Sequence, residues 1–110
     1  MTLFEKIIAR QIPAQIVHED EWCVAFRDIS PQAPTHVLVV PRAPIPRVSQ
    51  ADESHAELLG RCVLAAAKVA KAEGLEGYRL VVNDGEIAGQ SVFHVHFHVL
   101  GGRRLSWPPG

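Results

Sequence analysis

The chain has 110 residues, 47% hydrophobic and 21% charged, and its 11 lysines and arginines stand against 12 aspartates and glutamates for a net charge of −1. That length makes one modest domain, residues 1–110, burying roughly 60–70% of its unfolded surface without disulfides. The balanced charge excludes a polybasic footprint for nucleic acid or anionic lipid. No signal peptide, transmembrane run or low-complexity tract is visible, so the expected location is the cytoplasm. Arg103-Arg104, Arg42 and Arg47 read as solvated, and Cys23 and Cys62, in apolar patterns with no metal spacing, read as small buried hydrophobes in a reducing compartment.

Thr2 lies three residues before Glu5, and Phe4, Ile7 and Ile8 follow at helical spacing, which predicts a capped first helix ending before Pro13. Residues 15–19 and 22–28 read as two strands of a hairpin around Glu19-Asp20-Glu21. Asp28 closes the second strand, and the Ser30-Pro31 that follows makes a turn cap the plain expectation for its carboxylate. Pro31 and Pro34 keep the next loop out of helix, after which His36 opens a third strand over residues 37–40.

Pro44 and Pro46 keep residues 42–47 irregular. Asp52 or Ser54 is the expected N-cap of a long helix, with Glu57 as capping-box partner of Ser54. Leu58, Leu59, Cys62, Val63, Ala66, Val69 and Ala70 make its apolar stripe, His55 sits exposed in its first turn, and Gly74 is its left-handed stop. Residues 78–83 read as a fourth strand, followed by a loop from Asp84-Gly85 to Ser91. In that loop, backbone N–H groups and the Ser91 hydroxyl precede the chain's most unusual stretch and suit phosphate oxygens.

That stretch is His94-Val95-His96-Phe97-His98-Val99-Leu100. Its period of two and its β-branched and aromatic residues predict a fifth strand, with the histidines on one face and Phe93, Val95, Phe97 and Val99 on the other. Three readings of the imidazole face stand side by side: a solvated strand face, a metal site, or acid, base and nucleophile chemistry near neutral pH. Same-face neighbours on a strand are roughly 6.6 Å apart, so one ion bonding at about 2.0–2.1 Å would reach two adjacent rings but hardly all three. Neither a C-x-x-C pair nor an H-E-x-x-H helix supplies outside ligands.

The heptad resembles the H-φ-H-φ-H-φ-φ signature of the histidine triad nucleotide-binding family, φ being apolar. Residues Asp28 to His36, Gly89-Gln90-Ser91 and Trp107-Pro108-Pro109-Gly110 are similar to its Hint branch, so the likeness spans nearly the whole chain. The resemblance implies an α+β fold: a five-stranded antiparallel sheet with one short N-terminal helix and one long helix packed on one face. It implies hydrolysis of purine nucleoside 5′-phosphoramidates through a nucleotidyl-histidine, with His96 as nucleophile, His98 and Ser91 at the phosphate and leaving group, and His94 and His36 supporting the row. A hydrolase rather than a transferase follows because His98 stands where transferase relatives carry glutamine. It further implies a base pocket of Phe4, Ile7, Ile12, Phe26 and Ile29, ribose contacts from Asp28, and Asn83, Gly89, Gln90, Ser91 and Val92 around the phosphate. The partner expected is a purine nucleotide or phosphoramidate, the state a homodimer whose Trp107 tail reaches the other subunit's site, and neither cofactor nor metal is expected. The alternative is a purine nucleotide-binding scaffold with incidental hydrolysis.

Overall fold

The computed structural model describes all 110 residues. Helix α1 (Leu3–Ile8) starts from Thr2, whose hydroxyl accepts from the Glu5 N–H while the Glu5 carboxylate accepts from the Thr2 N–H, the reciprocal cap expected from the sequence. Strands β1 (Ile16–Glu19), β2 (Cys23–Arg27) and β3 (Thr35–Pro41) form an antiparallel meander. Helix α2 (Ala56–Ala72) crosses to β4 (Tyr78–Val82), and β5 (Phe97–Gly101) inserts between β3 and β4. The sheet order is β1-β2-β3-β5-β4, with every pairing antiparallel.

Alternation along the strands builds two apolar layers. Cys23 and Ala25 of β2, Val37 and Val39 of β3, and Val95, Phe97 and Val99 pack beneath α2. Val24, Phe26, Leu38 and Val40 face the other way, where Phe4 and Ile7 of α1 cover them. The two helices therefore lie on opposite faces, and α1 shares its face with the imidazoles. α2 approaches the sheet through short side chains, namely Cys62, Ala65, Ala66, Val69 and Ala70. Such close approach narrows the buried stripe, which explains why Val63, expected in it, remains 43% exposed. Gly74 stops the helix at φ +71°, as the sequence suggested.

Two local expectations give way. Of the two N-cap candidates Asp52 takes the role and the Ser54–Glu57 box does not form: Asp52 accepts from the Ser54 N–H, its own N–H donates to His55 Nδ1, and a 3-10 turn (Glu53–His55) leads into the helix. His55 is thereby half-buried and engaged rather than simply exposed. Phe93 does not join the core with Val95 and Phe97 but is 41% exposed, because the chain still bends at residues 92–94 and β5 pairs with its neighbours only from Phe97.

Candidate active site

The imidazoles meet on the α1 face. Opposite Leu38, His98 sits in the ladder of β3 and β5, and His36 lies diagonally across, so the His36 and His98 rings come within 5.2 Å, centroid to centroid. His96 lies 5.0 Å from His98 on the other side, and the edge-to-face Phe4 ring, 4.9 Å from His96 and 6.2 Å from His94, closes the group from α1. His36, His94 and His96 are buried, and His98 is partly so.

The hydrogen bonds fix which nitrogen carries each proton. A carbonyl oxygen only accepts, so His94 donates Nε2–H to the Pro41 carbonyl (2.7 Å) and His96 donates Nδ1–H to the His94 carbonyl (2.8 Å). Neutral His96 is left with a bare lone pair on Nε2, which has no partner in the chain and is not sealed from solvent. A second chain of bonds sets His98. The Gln32 backbone N–H donates to His36 Nδ1 (3.0 Å), so neutral His36 carries its proton on Nε2 and gives it to His98 Nδ1 (2.9 Å). His98 is thereby left with an outward Nε2–H donor. Asp28 stands 3.5 Å from His36 Nε2 through Oδ2, while its Oδ1 accepts the Ser30 N–H as the turn cap the sequence suggested.

Burial keeps all four rings neutral. It pushes the pKa of His36 down against the pull of Asp28, and that of His94 down against its Pro41 hydrogen bond and the nearby Glu5. His96 is lowered first by burial and then by His94, opposed by its bond to the His94 carbonyl and by Asp28. Burial, followed by the neighbouring His96 and His36, takes His98 down to about 4.

Beside the rings, the turn from Ser91 to His94 leaves its backbone N–H groups without a hydrogen bond inside the chain, a row of donors suited to phosphate oxygens. The Ser91 side chain is exposed beside them. Gln90 is different from expectation. It is 2% exposed; its Oε1 accepts the Gly85 N–H (2.8 Å), and its Nε2 donates to the Pro46 and Val92 carbonyls (2.8 and 3.1 Å). The amide is spent on holding the loop, so it has no capacity left for phosphate. Gly89 turns the loop at φ +98°, with the half-buried Asn83 amide 3.8 Å from where a Cβ there would stand. The same loop is held from behind by Arg47, which donates Nε–H to Asp84 (2.6 Å), and by the Ser49 N–H on the other Asp84 oxygen (2.8 Å). Nothing in the sequence marked Arg47, the Gln32 N–H or the Pro41 carbonyl as contributors, since two act through backbone atoms and the third looked solvated.

The residues expected around a base divide. Phe4, Ile7 and Phe26 form a buried floor against which Ile12 and Val92 pack, and a hollow of about 360 Å³ follows the α1–β1 connector past Ile7, Ile12 and Ile16. Ile29 is 96% exposed and outside that cluster, because the Asp28–Ser30 turn carries it away. A hollow of about 960 Å³ lies among residues 74–80 and 102–105 and touches none of the histidines. Trp107 is 81% exposed and covers no patch of its own chain.

Against known families, the HIT domain matches residues 9–105. The chain belongs to the HIT family. It is 54% identical over 110 residues to an uncharacterized HIT-like protein of Synechococcus elongatus, covering 99% of this chain and 96% of that one. It is 53% identical to the 14 kDa zinc-binding protein of Zea mays, over 99% of this chain and 88% of the relative. A crystal structure of a HIT family hydrolase from Legionella pneumophila Philadelphia 1 superposes with a TM-score of 0.97 at 48% identity, each chain wholly covered. This HIT protein therefore has the α+β fold of HIT hydrolases, with five antiparallel strands and one long and one short helix. None of its helices is long and apolar enough to cross a membrane.

Proposed function

We propose that this HIT protein is a nucleotidyl hydrolase of the Hint kind, cleaving the P–N bond of purine nucleoside 5′-phosphoramidates through a covalent intermediate on His96. The proton order of the imidazoles carries this reading: a neutral ring with its lone pair on Nε2 stands beside a neighbour with Nε2–H directed outward. The His96 lone pair attacks the α-phosphorus, forming a P–N bond as the substrate P–N bond breaks on the far side. Positive charge grows on His96, and its Nδ1–H bond to the His94 carbonyl strengthens with it. His98 Nε2–H and the unspent N–H groups after Gln90 hydrogen-bond the phosphate oxygens. The departing amine takes a proton relayed from water through His98 or Ser91. Water then attacks the same phosphorus, the bond to His96 breaks, and the nucleoside 5′-monophosphate leaves with a proton released.

Phe4, Ile7, Ile12 and Phe26 supply the apolar floor for a purine, and Asp28 keeps lone pairs for the ribose hydroxyls. Asp28, His36 and His98 bring ligand atoms within 4.8 Å of one another, but both His36 nitrogens are already engaged, so the group does not fit a zinc ion and the reaction is carried by the imidazoles and loop N–H groups alone. We further infer a two-fold homodimer. β4 is a sheet edge with Tyr78 and Val82 each 41% exposed, and the Ser106 carbonyl, accepting from Arg79, fixes the tail that projects Trp107.

The test is turnover of an adenosine 5′-phosphoramidate bearing a fluorescent amine. His96→Asn should abolish turnover while nucleotide affinity stays within a few-fold, and rapidly quenched wild-type protein should carry a nucleotidyl adduct on the His96 peptide. Normal turnover by His96→Asn sinks the assignment.

A further inference from the structure

Away from the imidazole cluster, the β1–β2 hairpin brings a second set of donors together. His18 Nε2 lies 3.0 Å from Asp20 Oδ2, Cys23 Sγ lies 3.7 Å from the same oxygen, and all three ligand atoms are within 4.8 Å of one another. Tetrahedral zinc, with bonds of about 2.0 Å to nitrogen and oxygen and about 2.3 Å to sulfur, sets its ligand atoms about 3.3–3.7 Å apart. The two separations from Asp20 Oδ2, 3.0 and 3.7 Å, thus already match that spacing to within tenths of an ångström, and His18 Nε2 and Cys23 Sγ stand within 4.8 Å of each other.

The local fold preorganises them. The Trp22 and Cys23 N–H groups both donate to Asp20 Oδ1, which fixes the carboxylate and turns Oδ2 toward His18. A register shift in β1 between Ile16 and His18 re-aims the histidine, whose side chain is 24% exposed and gives an ion its route in. Behind the site the buried Cys62 lies in the same apolar layer as Cys23 and closes it from the α2 side.

We propose that this hairpin is a binding site for a borderline divalent cation of the Zn²⁺ class, held by His18 Nε2, Asp20 Oδ2 and Cys23 Sγ with water in the fourth position. One nitrogen, one oxygen and one sulfur suit zinc better than the Asp28–His36–His98 group, where no sulfur is present and both His36 nitrogens are engaged. Binding forms metal–nitrogen, metal–oxygen and metal–sulfur bonds. The Cys23 thiol proton goes to solvent, and the neutral His18 ring carries its proton on Nδ1. Two anionic ligands then balance the charge of the ion. The proposal is independent of the catalytic reading.

The test titrates Co²⁺ and then Zn²⁺ into the tag-free, reduced full-length chain. One equivalent of Co²⁺ should give a thiolate-to-metal charge-transfer band in the near ultraviolet, which Zn²⁺ displaces. His18→Asn should weaken binding at least tenfold, Cys23→Ser should remove the band, and His98→Asn should leave both unchanged. Because Cys23 is buried and its variant is liable to misfold, His18→Asn at a half-exposed position carries the test by itself. Absence of the band in wild type, a band undiminished in His18→Asn, or binding lost in His98→Asn alone overturns the proposal.

Discussion

Replacing Gln90 by leucine separates a loop brace from a phosphate ligand. The side chain is almost wholly buried and makes three hydrogen bonds, to the Gly85 N–H and the Pro46 and Val92 carbonyls. Leucine matches its bulk and satisfies none of them. The Gly85 N–H, on a buried residue, bears the full desolvation penalty of about 1–3 kcal/mol. The two carbonyls lie on residues still reached by water, so their combined loss is nearer 1 kcal/mol. The sum is about 2–4 kcal/mol, which for a domain of this size lowers Tm by roughly 10–15 °C. Calorimetry of Gln90→Leu measures this directly, and kinetics below the new Tm should show kcat falling more than substrate affinity, as the loop's donors lose their alignment. A Tm within about 2 °C of wild type, together with a tenfold rise in KM, would falsify the brace and return Gln90 to the phosphate.

Acid should destabilise the fold in a defined window. His98 has a folded pKa of about 4 against an ordinary 6.5, so both states are neutral above pH 6.5 and the unfolded chain alone takes up the proton as pH falls from there toward 4. The loss from this group is on the order of 3 kcal/mol, complete near pH 4, and His36, His94 and His96 add to it in the same direction. Urea midpoints flat across that range would contradict the burial of the cluster. Removing the ring that orients His98, in His36→Ala, should lower kcat by about 10–100-fold with KM little changed, since His98 is then free to adopt either tautomer; an unaltered kcat shows that the orientation is immaterial. Gly85→Ala should cost about 1–3 kcal/mol, because φ is +95° and the new Cβ would meet the Arg47 guanidinium at 2.6 Å, and thermal melts alongside Arg47→Ala should show the two effects failing to add. Sedimentation of the wild-type chain should give twice the monomer mass, whereas a monomer at micromolar concentration removes the dimer.

Much of this architecture is readable in the order of residue types. A hydroxyl at Thr2 three places before Glu5 has one low-energy use, and the helix begins there. Polar and apolar alternation through His94, His96 and His98 anticipates that the rings share a face, although only His98 lies in the paired strand β5 and His94 and His96 precede it. Even so, the pattern overran the strand at Phe93, where the backbone has no neighbour to pair with and the side chain turns outward. The stripe of α2 was misjudged at Val63 for a related reason: amphipathic spacing locates a face, but the width buried depends on how closely the partner sheet approaches.

The chemistry is split in the same way. Local sequence determined which side chains could do the work, since residue type sets the donors and acceptors and strand period sets their side. Only the tertiary structure decided where each proton rests, because the deciding partners, the Pro41 carbonyl 53 residues from His94 and His98 62 residues from His36, are brought into reach by strand pairing and packing. It likewise turned Gln90 from a ligand into a brace and gathered His18, Asp20 and Cys23 around a common centre. Hydrogen bonds reach about 3 Å, and a linear pattern carries no information about which distant atoms come that close.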